Sequence, residues 1–154
     1  MVACGLTLFL SLFLCFSYAS ELQISANSFY ANEKKGENIL SGNVIVKKDK
    51  DILRSEKLDV FVDKQRKPIK YIATGNAKFE VFLSNKLYKG VADKLIYDVL
   101  KDVYEMNGNA FIEEQGSNKK IYGDLIVVDK KQEIYRVKGK DNKPTRFIFE
   151  LETK

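Results

Sequence analysis

Gly42-Asn43-Val44, Gly75-Asn76-Ala77 and Gly108-Asn109-Ala110 place three glycines on one 33-residue period. Each pair is followed by an apolar stretch. Tight hairpins favour Asn-Gly, the reverse order, so three unrelated hairpin turns account poorly for the pattern. A fixed period of this size is the mark of a stacked architecture. Glycine recurring at one place in each unit means a backbone requirement: a positive φ, a bulge, or a bend where layers approach closely. Asparagine beside it tolerates the left-handed region.

A second element follows each pair and carries an acid and an aliphatic or aromatic run. Its copies are Ser55-Glu56-Lys57-Leu58-Asp59-Val60-Phe61-Val62-Asp63, Ala92-Asp93-Lys94-Leu95-Ile96-Tyr97-Asp98 and Tyr122-Gly123-Asp124-Leu125-Ile126-Val127-Val128-Asp129. Ile24-Ser25-Ala26-Asn27-Ser28-Phe29 reads as a first, partial copy. Arg136-Val137-Lys138-Gly139 reads as a degenerate fourth glycine, 31 residues after Gly108. Partial units at both ends suit a stack that needs capping.

Within each unit the apolar residues alternate. Ala77, Phe79, Val81 and Leu83 alternate with Lys78, Glu80 and Phe82; Leu95, Tyr97 and Val99 with Ile96 and Asp98; Leu125 and Val127 with Asp124 and Ile126; Phe147, Phe149 and Leu151 with Ile148 and Glu150. Strand side chains point to opposite faces in turn, so each run puts an apolar row on one face. The runs are separated by turn compositions at 47–51, 63–68, 113–120, 129–133 and 139–144. Both prolines close a turn ahead of a strand. No segment holds a helical face. With 45% hydrophobic and 31% charged residues the chain is expected to fold, not to stay disordered.

Residues 1–19 differ from everything after them. Gly5 to Phe16 is almost wholly apolar, and Ser17 and Ala19 supply small residues ahead of a cut before Ser20. That is the layout of a cleavable signal peptide, although the start lacks the usual basic residue. The alternative is an uncleaved anchor, for which the apolar core is short. Leu14 is too large for lipoprotein cleavage at Cys15. Both cysteines, Cys4 and Cys15, lie in this segment, so residues 20–154 form a domain with no disulfide.

With no histidine in the chain and no cysteine past the signal, the common general bases, nucleophiles and soft metal ligands are missing. Asp93, Asp98 and Asp102 match no hard-metal loop. Neither catalysis, cofactor nor metal is expected. The net charge of +5 raises nucleic acid as a partner. The lysines, however, sit in turns among acids, with no basic stripe, so nucleic acid is not expected. Anionic headgroups are a possible secondary contact for them.

Leu40-Ser41-Gly42-Asn43-Val44-Ile45-Val46, Ala92-Asp93-Lys94-Leu95-Ile96-Tyr97-Asp98 and Tyr104-Glu105-Met106-Asn107-Gly108-Asn109-Ala110-Phe111-Ile112-Glu113-Glu114 resemble the LptA/OstA-like family of periplasmic lipopolysaccharide-transport proteins, over about Leu22 to Leu151. The resemblance implies an all-β fold: a twisted open β-jellyroll of stacked short antiparallel strands, V-shaped, with an apolar inner groove. It implies a periplasmic carrier that shields lipid A acyl chains and joins like modules head to tail, between inner-membrane LptC-like and outer-membrane LptD-like partners. On that reading the groove is lined by Val44, Val46, Leu58, Val60, Phe79, Val81, Leu95, Tyr97, Ala110, Ile112, Leu125 and Val127. The joining edges are a first strand near Leu22–Tyr30, with Leu22, Ile24 and Ala26, and a last near Thr145–Leu151, with Phe147, Phe149 and Leu151. Two alternatives stay open: an anchored LptC-like subunit, and a structural β-stack that carries no lipid.

Overall fold

Among the described residues the alternating runs form ten strands of a single antiparallel sheet. The computed structural model describes residues 22–83 and 85–149. The expected signal segment and Leu151 lie outside them. The strands are β1 (Leu22–Ser25), β2 (Ser28–Asn32), β3 (Glu37–Lys48), β4 (Asp51–Val62), β5 (Pro68–Leu83), β6 (Lys86–Asp98), β7 (Val103–Glu114), β8 (Lys119–Asp129), β9 (Ile134–Lys138) and β10 (Arg146–Ile148). From β3 to β8 each strand pairs with the next. At one end β1 and β2 share β3, one on each half of it. At the other, β9 and β10 share β8 in the same way.

The turns between strands are set by local chemistry. The Asp63 carboxylate accepts the N–H groups of Gln65 and Lys67, both at 2.9 Å. Asp98 accepts from Lys101, and Asp129 from Gln132, each at 3.0 Å. A short carboxylate that bonds the backbone a few residues ahead reverses the chain and stops the strand.

The Gly-Asn pairs do not separate strands. They lie in the middle of β3, β5 and β7, where the register of pairing shifts. Gly42 and Asn43 stand together opposite Glu56, Gly75 and Asn76 opposite Asp93, and Gly108 and Asn109 opposite Asp124. One extra residue on one strand of a pair is a β-bulge, and it bends that strand. Both residues of every pair are left-handed: φ is 79°, 80° and 80° at the glycines, and 48°, 49° and 46° at the asparagines. A side chain at each glycine is also blocked by a residue from the preceding part of the chain. A Cβ on Gly75 would stand 2.6 Å from the Glu56 Cβ. Asn27 blocks Gly42, and Asp93 blocks Gly108.

Because all the bulges fall at mid-strand, the sheet folds along one line into two halves. A flat single sheet leaves both faces open to water, yet Leu58 is 0% exposed and Val44 is 1% exposed. Their cluster combines residues from both halves, with Leu58, Leu95, Met106 and Ile126 on one side of the bend and Val44, Ala77, Ala92 and Ala110 on the other. Burying a side chain such as Leu58 contributes about 2 kcal/mol. The V-shaped open sheet expected from the resemblance is the fold observed.

Gly75→Val is expected to lower stability by more than the ~1 kcal/mol of a typical substitution, since it forces a branched residue to positive φ against Glu56. Lys78→Val, three residues on at an exposed regular position, should stay within about 0.5 kcal/mol. Urea midpoints measure both, and equal midpoints would remove the backbone reason for the repeat.

Candidate functional site

The inner face is built from cross-strand rows that follow directly from the register. Just inside the bend lie Val44, Ser55, Ala77, Ala92, Ala110 and Gly123, all small or short. Ser55 is buried there and its hydroxyl donates to the Lys57 carbonyl at 3.0 Å. Small residues let the halves approach at the apex. On one half the next inner row is Leu40, Leu58, Ala73, Leu95, Met106, Ile126 and Val137. On the other it is Ile24, Val46, Leu53, Phe79, Gly90, Ile112, Ile121 and Phe147. In the second row the Phe79 ring fills the space where Gly90 would carry a Cβ.

Farther from the apex the lining changes character. Val60, Tyr71, Tyr97, Tyr104 and Val128 form the outermost full row of the first half. The rings of Tyr71 and Tyr97 stack at 6.2 Å and those of Tyr97 and Tyr104 at 4.2 Å. The Tyr97 hydroxyl donates to Asp102 at 3.0 Å. On the facing half, Val81, Tyr88, Glu114 and Lys119 take the matching place. Glu114 pairs with Lys86 at 3.0 Å and more loosely with Lys119 at 3.9 Å. The hydrogen bond from Lys86 holds its carboxyl below the ordinary value. Burial raises the Tyr104 phenol, and the charges of Asp102 and of Asp51, at the start of β4, add to the rise. The result is a groove with aliphatic rows at depth and phenols and ion pairs at its mouth.

Ten of the twelve residues expected to line this groove are on its inner face. Val44, Leu58, Val60, Leu95 and Ala110 are buried in the core, and Val46, Phe79 and Ile112 pack against it. Val81 and Tyr97 stand nearer the rim. Leu125 and Val127 require a correction: the inward residues of β8 are Ile126 and Val128, so Leu125 and Val127 face outward. The cause is the bend itself. On β4, β6 and β8 the inward positions change parity at the corner, so that the acid and the residue after it both point out. Leu58 follows Glu56 by two, and Leu95 follows Asp93 by two. Aligned on Asp124, the third copy gives Ile126, with Leu125 in the place of Lys57 and Lys94. That alignment was the available signal. Met106 and Tyr104, two and four residues ahead of Gly108, share its parity and lie in the inner rows of Leu95 and Tyr97, a signal the alternation carried; Tyr71 has no motif beside it.

At the ends, the expected single first strand is two, β1 and β2, divided at Ala26 and Asn27. Ala26 packs against the core, whereas Leu22 and Ile24 are exposed on β1. The last described strand is shorter than expected, Arg146–Ile148, with Phe147 and Phe149 exposed and their rings stacked at 6.3 Å. Asp93, Asp98 and Asp102 do separate structural work, bonding Asn109, the Lys101 N–H and Tyr97.

The phenols of Tyr71, Tyr97 and Tyr104 all hold their protons more tightly than the ordinary value of 10.0, chiefly through burial. A phenol whose folded value lies above its unfolded one contributes nothing to pH dependence below the unfolded value. Stability is then lost as pH rises beyond it. Denaturant midpoints are expected to fall steadily above about pH 10, and Tyr97→Phe should make that fall shallower. An unchanged alkaline slope in Tyr97→Phe would show that this phenol is not held by its surroundings.

No curated protein matches this chain. Among solved structures, it is similar to LptH, the LptA homologous periplasmic component of the conserved lipopolysaccharide transport device from Pseudomonas aeruginosa, with a TM-score of 0.72 at 16% identity over 85% of this chain and 96% of that one. The likeness shows the fold. The model of the family described as LptA/(LptD N-terminal domain) LPS transport protein matches residues 23–134, and with the repeat, the bulged sheet and the apolar groove in place, the chain belongs to that lipopolysaccharide-transport family.

Proposed function

We propose that this chain is a periplasmic carrier that shields the acyl chains of lipopolysaccharide in its groove and hands them along a row of like modules. One observation carries the reading. The row from Ile24 through Val46, Leu53, Phe79, Ile112 and Ile121 to Phe147 contains no charged residue, and it is open at both ends: Ile24 is 38% exposed and Phe147 is 49% exposed. An apolar surface that ends in water at both edges of a sheet suits continuation by another module. An edge strand also presents unpaired N–H and C=O groups to a partner strand. Acyl chains entering such a groove gain about 0.8 kcal/mol per buried CH₂. The phenols and ion pairs at the mouth suit a polar headgroup held outside.

Residues 1–19 then serve as the export signal, cleaved before Ser20. Partners of this kind are an inner-membrane LptC-like protein at one end and an outer-membrane LptD-like protein at the other. Transport of this sort needs no catalytic group. Among the described residues no helix is long and apolar enough to cross a membrane.

Protein recovered from the periplasm is expected to begin at Ser20 and to bring acyl lipid into an organic extract. Phe79→Asp should abolish displacement of a bound fluorescent acyl probe, because an unpaired charge in the groove is costly. Lys78→Glu, on the outer face, should not. Equal behaviour of the two variants, or a lipid-free extract, would leave the structural β-stack as the better account.

Head-to-tail joining is open, so association should grow with concentration and not stop at a dimer. Ile24→Asp and Phe147→Asp, one at each end, should each reduce it in light scattering while circular dichroism stays that of a β-protein. If neither does, the joint lies elsewhere.

A further inference from the structure

A second concavity lies on the other side of the sheet from the groove. Its volume is about 420 Å³, and its floor is the outer row of the second half, where Val91, Phe111, Tyr122 and Arg146 are paired in sequence across β6, β7, β8 and β10. Its wall is the segment between β9 and β10, which the Gly-Asn repeat does not account for. That wall is a built element. Lys140 and Lys143 exchange backbone hydrogen bonds of 2.9 and 3.0 Å around Asp141 and Asn142. Two side-chain contacts fasten it to the corner of the sheet: Lys140 to Asp124 at 3.3 Å and Lys143 to the Asn109 side-chain carbonyl at 3.3 Å.

The charge of the lining is unbalanced. Lys140 is matched by Asp124. Lys143 meets only a neutral amide, and the Arg146 guanidinium lies over the Tyr122 ring, 4.7 Å from its centroid. Among the described residues neither Lys143 nor Arg146 has a carboxylate partner. Two cations are thus left without an anion above a floor of two aromatic rings, Phe111 and Tyr122, whose centroids are 4.7 Å apart. Asn109, Asn142 and Asp124 add amide and carboxylate groups at the margin.

We propose that this concavity is a binding site for a sugar phosphate. Each part of the lining answers one part of such a ligand. A phosphate monoester carries close to two negative charges near neutral pH, which Lys143 and Arg146 balance through charge-assisted hydrogen bonds. The C–H face of a pyranose is apolar and rests on an aromatic ring, as Phe111 provides beside Tyr122, over whose own ring Arg146 lies. Sugar hydroxyls both donate and accept, which amides and a carboxylate match. The cavity lies within the size range of small-ligand sites, about 300–1,000 Å³. It faces away from the acyl groove and stands whether or not that groove carries lipid. The other outer-face concavity has Lys89 paired with Glu80 at 3.6 Å and a single ring, Phe79, in its lining, so it lacks the aromatic floor.

The ligand has two possible sources: a free sugar phosphate, or the phosphorylated head of a glycolipid other than one seated in the groove. Calorimetric titration of the purified protein with N-acetylglucosamine 1-phosphate addresses the first. Titration with the deacylated saccharide of lipopolysaccharide addresses the second. Binding of either is expected, and the tighter of the two identifies the source. Arg146→Gln and Lys143→Gln should each weaken it by roughly tenfold, as loss of a charge-assisted bond does. Uncharged N-acetylglucosamine should bind at least about tenfold more weakly than its phosphate. Circular dichroism checks that the variants fold, and displacement of the acyl probe reports on the groove separately. The proposal is overturned if neither ligand binds at millimolar concentration. It is also overturned if both variants bind like the parent, or if inorganic phosphate binds as tightly as the sugar phosphate.

Discussion

Two consecutive left-handed residues in the middle of a strand are the constraint on which this molecule rests. Glycine and asparagine are the pair that can adopt them at low cost. Placed at the same height in β3, β5 and β7, they turn what would be a flat ribbon into a trough. Everything described above is arranged around that line. The buried apex, the two rims and the outward position of the corner acids all follow from where the extra residues sit. The acids are part of the same device, since Glu56 and Asp93 occupy the space that a side chain on the neighbouring glycine would need. A carboxylate on one strand and a missing side chain on the next are a single steric unit.

The groove draws its chemical gradient from distance to the bend. Near the line, only residues the size of alanine, serine or valine fit between the halves. One row out, leucine, methionine and phenylalanine fill the widening space. At the rim, tyrosines stack their rings and the Tyr97 hydroxyl is bonded to Asp102. A trough that is aliphatic at depth and polar at its lip suits a molecule with hydrocarbon at one end and charge at the other.

Much of this was legible in the sequence, because period and alternation are local signals. The three glycines gave the bend, and the even spacing of apolar residues gave most of the inner rows. Leu125 and Val127 show where such reading stops. Alternation continues smoothly through Asp124 on paper, but the bulge opposite changes which residues face in. Parity across a bend is a property of the paired strands together, not of either alone. The outer concavity was illegible for a related reason. It exists only because the stretch from Gly139 to Thr145 folds back onto residues from two other strands, and nothing in that stretch names them.

The bulges sit on every second strand because one repeat is one hairpin: a bent strand and its straighter partner. A trough built this way grows or shrinks by whole hairpins. Adding a single strand would set two straight partners side by side, or two bent ones, and the fold line would be lost. Strand spacing makes each hairpin roughly 10 Å of trough. The length available to a cargo is therefore set in steps of that size, independently of how wide the trough opens, which the residues along the bend decide.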